Sequence, residues 1–222
     1  MAKKISCQFE FKTIEVPPCR ARIEECRSML RIMINTTKEE LLEIVKAQVG
    51  PIEDAMSEKS PEKGLQKVAK NVRQLRIFVA LEKLDGVVKL VQESTAKTIL
   101  FCSNRDVMVL LQQLLKGQGA QSIYGGSDPF TLEKSVNKFN APKGSQVLVC
   151  DVRGFSSFPT LNASRVIFID PEWDVKINAD ALKHCFGSLE KVNVDFISLK
   201  ESIDSYVIDT LAFATKSKFM PA

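Results

Sequence analysis

Beyond residue 97 the chain alternates two kinds of hydrophobic pattern. Short apolar runs occur at 98–102, 121–124, 146–150, 165–169 and 192–197, and stretches with apolar residues every three or four positions occur at 106–116, 131–139, 178–184 and 203–213. The short runs predict buried strands, and the three-to-four spacing predicts helices. Strands separated by helices indicate a parallel sheet with right-handed crossovers and helices on both faces. We therefore predict a doubly wound, mostly parallel α/β domain.

The first 94 residues carry a different pattern, which predicts a mainly helical segment. Residues 8–16 alternate well enough for a strand, and the proline pair that follows ends it. Helices are expected from a capping box at 37–40 up to Gly50-Pro51, from 61 to 79 and from 81 to 92, with a polar loop at 52–60. The composition changes near residues 94–97. We therefore divide the chain into a mainly helical N-terminal extension (1–94), the α/β lobe (95–215) and a flexible tail (216–222).

Basic residues recur at three- to four-residue steps between positions 59 and 76. They are Lys59, Lys63, Lys67, Lys70, Arg73 and Arg76. The favoured interpretation is the solvated face of an amphipathic helix. The alternative is a basic stripe that follows a phosphate backbone. The net charge of +4 permits contact with nucleic acid without requiring it.

Composition bounds the class of protein and its compartment. The 222 residues are 45% hydrophobic and 26% charged, as in a globular domain, and no run of eighteen apolar residues predicts a membrane span. The N-terminus lacks the apolar stretch of a secretory signal. Six cysteines form no C-x-x-C pair, and with a single histidine no metal site is predicted. We expect reduced cysteines and an intracellular protein, cytoplasmic or nuclear, without membrane partners.

Several short blocks beyond residue 81 stand in a recognisable order. They are KTILFCSNRDVM at 97–108, Tyr-Gly-Gly at 124–126 before the helix at 131–139, Asp-Pro-Glu-Trp at 170–173, INADALKHCFG at 177–187 before Val-Asn-Val at 192–194, and SIDSY at 202–206. In this order they resemble the C-terminal lobe of Swi/Snf-type helicases of superfamily 2, and residues 81–91 resemble the helix that leads into it. The resemblance covers about residues 81–210 and implies a RecA-like fold. The alternative is a generic doubly wound domain, flavodoxin-like or Rossmann; the absence of G-x-G-x-x-G and G-x-x-x-x-G-K-[ST] motifs disfavours its nucleotide-binding forms.

The same resemblance implies ATP hydrolysis between two lobes, for which this chain lacks several groups. Neither the phosphate loop nor the acidic pair of the first lobe occurs in the sequence. Leu182 and Cys185 stand where the family's sixth motif has the two arginines that reach ATP. His184 matches a family histidine, although a lone histidine on a helix more often has a structural role. We expect no ATP hydrolysis and no cofactor for the chain alone, with ATP and magnesium bound only if a partner lobe supplies the phosphate loop.

Candidate site residues follow from the loops, because ligands of parallel sheets bind at the carboxyl ends of the strands. The predicted nucleic-acid-binding residues are Ser103, Asn104, Arg105, Gly125, Gly126, Arg153, Gly154 and Ser156, and the predicted nucleotide-facing remnants of the sixth motif are Asn178, His184 and Gly187. The family's fifth motif is glycine-rich, whereas this chain has Phe155, Phe158 and Pro159. These residues are expected to fill a core or a partner groove; the alternative is that the phenylalanines stack on bases.

Two functions from different classes remain open. The first is a pseudo-helicase lobe, or half-motor, that binds nucleic acid, in our expectation DNA, and pairs with a separate N-terminal helicase lobe. The second is a non-enzymatic architectural module of a transcription or remodelling complex, whose partners are other subunits. A complete but diverged ATPase is disfavoured because the phosphate loop is missing. We favour the first.

Overall fold

The computed structural model describes residues 7–19, 49–69, 72–154, 160–200 and 202–219. The strands in these ranges are β1 (Gln8–Val16), β2 (Thr98–Cys102), β3 (Gln121–Ile123), β4 (Val147–Asp151), β5 (Arg165–Phe168) and β6 (Lys191–Leu199). The helices are α1 (Pro61–Val68), α2 (Arg73–Glu82), α3 (Leu84–Gln92), α4 (Arg105–Leu114), α5 (Pro129–Asn140), α6 (Val175–Leu182) and α7 (Asp204–Ser217). Residues 49–56 are also helical, and a 3₁₀ turn covers Lys116–Gln118.

The strands form one sheet in the order β1-β6-β5-β2-β4-β3, and every strand pair is parallel. Helices cover both faces of the sheet. On one face the buried cluster includes residues of α1 to α4, and on the other it includes residues of α5 and α6; α7 contributes to both. This confirms the doubly wound α/β fold that the alternating pattern predicts.

A ladder of phenylalanines runs across the middle of the sheet. Phe101, Phe168 and Phe196 occupy paired positions on β2, β5 and β6, with ring centroids 5.0 and 4.6 Å apart. All three are fully buried. Side chains at paired positions of parallel strands point to the same face, so one apolar residue per strand builds a continuous core there. The ladder fixes the register of these three strands.

The first strand adds an edge to this sheet. β1 pairs with β6 over its whole length, from Gln8 opposite Lys191 to Val16 opposite Leu199. The strand predicted at 8–16 is therefore present, and the N-terminal segment contributes to the sheet as well as to the helical layer. The proposed division at residues 94/95 stays a prediction.

Two predictions for the N-terminal segment are wrong: a loop and a continuous helix. The sequence predicts a loop at residues 52–60, but residues 49–56 are helical through Gly50 and Pro51, and Ile52 and Ala55 face the core. Burial of these two side chains, three positions apart, stabilises a helix that local composition does not favour. The helix expected over 61–79 is divided into α1 and α2. The apolar periodicity continues across the break because residues on both sides of it are buried, so the pattern does not reveal it.

The row of basic residues is not one solvated stripe. Lys59, Lys63, Lys67 and Arg73 are exposed, whereas Arg76 is only 7% exposed and lies beneath the loop that follows β5. Both interpretations of the row, the solvated face and the phosphate-binding stripe, fail at this residue. Lys70 lies outside the described residues, as do the capping box at 37–40 with most of its helix, Cys26, residues 155–159 and the end of the tail at 220–222.

Candidate nucleic-acid interface

Four loops meet at one edge of the sheet. β5, β2, β4 and β3 are neighbours and run in the same direction, so the segments that follow them lie side by side. These segments include Ser103 to Arg105, Tyr124 to Ser127, Val152 to Gly154 and Ile169 to Asp174. Crossover connections place the carboxyl ends of parallel strands together, which is why this edge collects polar loops.

The loop after β2 is held in place by Asn104 and exposes Arg105 to solvent. The Asn104 side chain caps α4, because its Oδ1 accepts hydrogen bonds from the backbone N–H of Asp106 at 2.9 Å and of Val107 at 3.3 Å. The next residue, Arg105, is exposed, and its guanidinium carbon lies 4.4 Å from the centroid of the Tyr124 ring. A cation over an aromatic face is held electrostatically. Arg105 therefore has a supported inner face and a solvent-facing outer one.

Two glycines bring the loops after β3 and β4 into backbone contact. A Cβ atom at Gly154 would lie 2.9 Å from both the Cα and the N of Gly125, too close for any side chain. Gly126 has a φ of +88° in the turn that the Ser127 N–H closes on the Tyr124 carbonyl at 3.0 Å, a conformation that favours glycine. The glycine contact thus brings the loop after β3, whose Tyr124 supports Arg105, against the loop after β4, which carries Arg153. Ser156, the last of the predicted contacts, lies outside the described residues.

Beneath this surface lies a buried ion network centred on Arg76. Its Nε and Nη2 donate to Asp170 Oδ1 at 3.0 and 2.8 Å, and Nη2 also donates to the Pro171 carbonyl at 2.9 Å. Ser103 accepts from Nη2 at 3.2 Å and donates its own proton to Asp170. The guanidinium also lies over Trp173, 5.6 Å from the ring centroid. Helix α2 is therefore tied to the turn after β5 and to the end of β2.

The pKa of Arg76 depends on burial and on the charges of the neighbouring carboxylates. Burial acts to lower the pKa of Arg76, but the charges of Asp170 and Glu172 outweigh burial, and the pKa is raised. Glu172 Oε2 lies 3.9 Å from Arg76 Nη1, and its Oε1 accepts from Arg153 Nε at 2.7 Å. Two arginines thus face the two carboxylates of Asp170 and Glu172.

The predicted nucleotide-facing residues do not lie together. Asn178 is fully buried and exchanges two hydrogen bonds with the backbone of Glu172, at 2.9 and 2.7 Å, near the carboxyl edge. Gly187 lies against the side chain of Asn162, just before β5, at the opposite edge of the sheet. The half-buried His184 is in the same region, where its carbonyl accepts from the Leu161 N–H at 2.7 Å. Only Asn178 is near the carboxyl-edge loops.

The two positions matched to arginines in the sixth motif face the core. Leu182 and Cys185 are both 0% exposed and belong to the cluster that contains Phe168 and Phe196. The Cys185 thiol donates to the Ala181 carbonyl, with sulfur and oxygen 3.3 Å apart, and burial raises its pKa well above the usual value. Neither side chain reaches a surface from which it would contact a nucleotide.

Solved structures with a similar fold include two C-terminal ATPase domains. The chain superimposes on the C-terminal part of the Fun30 ATPase domain over 93% of its length and 89% of that chain, with a TM-score of 0.54 and 14% identity. It also matches the Sulfolobus solfataricus SWI2/SNF2 ATPase C-terminal domain over 93% of this chain and 86% of that one, with a TM-score of 0.56 and 13% identity. The fold is that of a C-terminal RecA-like lobe of the Swi/Snf type. The RecA-like fold and the resemblance inferred from the sequence blocks are thereby confirmed.

A longer structure extends the parallel. The Sulfolobus solfataricus SWI2/SNF2 ATPase core domain matches with a TM-score of 0.58 and 14% identity, and the RecA-like lobe described here covers 45% of that chain while 96% of its own length is matched. No protein-family model matches the sequence, and no curated protein matches it. The likeness is therefore one of fold, and roles for residues of this lobe rest on its own geometry.

Sequence reasoning missed three residues of this edge: Arg76, Glu172 and Tyr124. Arg76 stands four positions after Val72 and three before Val79, both buried, so its place on the apolar face was the available signal. Nothing in the pattern distinguished Glu172 from a solvated acid.

In the described parts of the RecA-like lobe, no group of three or more histidine, cysteine or acidic side chains is placed to hold a metal, and no helix is long and apolar enough to cross a membrane.

Proposed function

We propose that this RecA-like lobe binds nucleic acid, in first place DNA, through its carboxyl-edge loops and is catalytically incomplete. One observation carries the proposal: Arg105 on Tyr124, the Gly125–Gly154 contact and Arg153 form a continuous surface with two exposed guanidinium groups. Arginine contacts phosphates with fixed fork geometry, and glycines let a backbone approach closely. The lobe would then be one half of a two-lobe motor.

The burial of Leu182 and Cys185 supports the second part of the proposal. A guanidinium at either position would have to leave a packed core before it could reach a nucleotide. With no phosphate loop in the sequence, ATP and magnesium would be held by a separate N-terminal lobe. The lobe would contribute nucleic-acid contacts and an opposing surface. No chemical step is assigned to its own residues.

Binding is tested by fluorescence anisotropy with duplex and single-stranded DNA over a range of salt concentrations. For duplex DNA the logarithm of the binding constant should fall linearly with the logarithm of the salt concentration, by about 0.9 per phosphate contact. Arg105→Ala should weaken binding and reduce that slope by about 1. Lys116→Ala is the matched control, because Lys116 is an exposed cation just before β3, at the opposite edge of the sheet.

Three results would overturn the proposal or a part of it. The absence of salt-dependent binding at low ionic strength, or an equal loss of DNA affinity in the Lys116 control, would refute the proposed nucleic-acid interface. Steady ATP turnover by the purified chain would remove the catalytic incompleteness. The architectural alternative stays a prediction and would gain support if DNA binding failed while a partner subunit copurified.

A further inference from the structure

Arg153 is anchored through only one of its guanidinium nitrogens. Its Nε donates to Glu172 Oε1 at 2.7 Å, and its backbone N–H donates to Asp151 Oδ1 at 2.9 Å. The side chain is 50% exposed, and among the described residues its terminal nitrogens make no hydrogen bond. Anchoring at Nε leaves the N–H groups of the two terminal nitrogens available as donors. These groups have the geometry for bidentate binding of a phosphate group.

The anchor itself is rigid. The Glu172 side chain is 8% exposed, and both backbone groups of Glu172 are hydrogen-bonded to the Asn178 side chain. Arg76 lies 3.9 Å from the second carboxylate oxygen. Arg76 also pairs with Asp170, so one buried cation offsets part of the negative charge of this turn. A phosphate approaching Arg153 therefore meets an arginine whose Nε is fixed and behind which the carboxylate charge is reduced by Arg76.

We infer that Glu172 is a positioning residue that holds Arg153 ready for one phosphate of the nucleic acid, with Arg76 offsetting part of the negative charge of the turn that carries Glu172. The inference rests on the proposed nucleic-acid-binding function. An exposed arginine loses rotamer freedom when it is fixed on a ligand, and fixing it beforehand reduces that cost. Glu172 and Arg76 act through Arg153 and need not touch the nucleic acid themselves.

The test compares two substitutions of the anchor. Glu172→Gln keeps a side-chain oxygen that accepts from Arg153 Nε, so affinity for DNA should be retained or slightly increased. Glu172→Ala removes the anchor, and affinity should fall by about two- to tenfold, the cost of immobilising one flexible side chain. Arg153→Met should reduce the salt slope by about 0.9. In the Arg153→Met background, Glu172→Ala should have no further effect, because the two residues act as a unit.

Arg76 is tested with a matched pair on one helix. Arg76→Lys keeps the charge but cannot make the several contacts of the guanidinium, so binding should weaken. Arg73→Lys, three positions earlier on α2 and exposed, should bind like the wild type. Urea unfolding of each variant separates loss of fold from loss of position. If Glu172→Ala is unfolded, Glu172→Gln and the arginine variants still decide the matter.

An independent readout separates this inference from the proposed function. In ¹⁵N-resolved spectra of the free protein, the Arg153 Nε–H signal, assigned through Arg153→Met, should be protected from exchange and should lose that protection in Glu172→Ala. Wild-type protein that fails to bind DNA while showing this protection would refute the function but not the anchor. DNA binding that is indifferent to both Glu172→Ala and Arg153→Met would refute the inference alone.

Discussion

Replacing Lys83 with methionine is expected to destabilise the fold strongly at neutral pH and less strongly in acid. The Lys83 side chain is 1% exposed, and its ammonium group donates to the Ile169 carbonyl at 2.7 Å. The same group forms an ion pair with Asp204, which is 9% exposed at the start of α7. Methionine can occupy the space of the lysine stem, but it provides neither contact.

The magnitude follows from what remains buried. Removing one partner of a buried ion pair leaves an uncompensated charge and costs about 3–5 kcal/mol. The unsatisfied Ile169 carbonyl is part of the same event, so we do not add it separately. The matched control is Lys89→Met: Lys89 is 77% exposed and lies 3.9 Å from Glu93 on the outside of α3. An exposed pair of this kind contributes less than about 1 kcal/mol.

The dependence on pH follows from Asp204. Burial raises the pKa of Asp204, and the charge of Lys83 counteracts that rise. Without Lys83 the pKa should rise further, so falling pH neutralises the stranded carboxylate. A carboxyl group with a raised folded pKa contributes stability below its unfolded pKa of about 3.9, and this contribution is lost as pH rises through the folded value. The penalty of Lys83→Met should therefore be largest at neutral pH and shrink as pH falls towards the raised pKa.

Urea unfolding followed by far-UV circular dichroism, at neutral pH and again near pH 5, measures both effects. The difference in unfolding free energy between variant and wild type should be several-fold larger than for Lys89→Met at neutral pH, and it should decrease at the lower pH. A difference below about 1 kcal/mol would mean that the buried pair contributes no more than a surface pair. An equal penalty at both pH values would mean that Asp204 does not carry the stranded charge.

Two further predictions concern packing. Gly154→Ala should destabilise the fold by about 1–3 kcal/mol in urea unfolding, because the new methyl group would meet the Gly125 backbone at 2.9 Å. The control Gly117→Ala, with no atom within 4 Å of its Cβ, should be neutral or slightly stabilising. Equal effects of the two substitutions would contradict the close approach of Gly154 to Gly125. Leu182→Arg, which introduces the arginine of the helicase motif that the sequence resembles, should destabilise by more than about 3 kcal/mol and confer no ATP turnover, while Lys183→Arg on the exposed neighbour should unfold like the wild type. A stable Leu182→Arg protein would mean that this position can turn towards the surface.

The order and type of the elements beyond residue 97 could be predicted because their strands contain short apolar runs flanked by polar turns. β2 is buried at all five positions and β4 at four of five, as expected for strands covered on both faces. The helix at 49–56 could not be predicted from local composition, because it depends on packing of Ile52 and Ala55 against elements distant in sequence. Helix propensity and the tendency of glycine and proline to end a helix are weaker than such tertiary contacts.

The position of the candidate loops in the fold was predictable, and the contacts of their side chains were less so. The carboxyl-edge rule gave the loops, and glycine at 125, 126 and 154 indicated where backbones come close. It did not reveal what the glycines approach: Gly154 meets the backbone of Gly125, a contact within the protein. Asn178 was expected to face a nucleotide because of the resemblance, yet its amide oxygen and nitrogen each hydrogen-bond the backbone of Glu172. A motif position fixes a place in the chain but not the partner of its side chain.

Arg76 and Lys83 show how much the hydrophobic pattern contains about the site. Along α2 and into α3, the buried residues Val72, Val79 and Val87 recur at helical spacing, and the two cations fall on that same face at steps of three to four residues. A cation on an apolar face must find an acceptor, because its burial is otherwise prohibitively costly. In a parallel sheet covered by such a helix, the nearest available acids follow the carboxyl ends of the strands. Asp170 after β5 and Asp204 after β6 satisfy this condition, and each takes one of the two cations. Cations on the apolar face of a helix, together with acids that follow buried strands, therefore indicate which edge of the sheet the helices face.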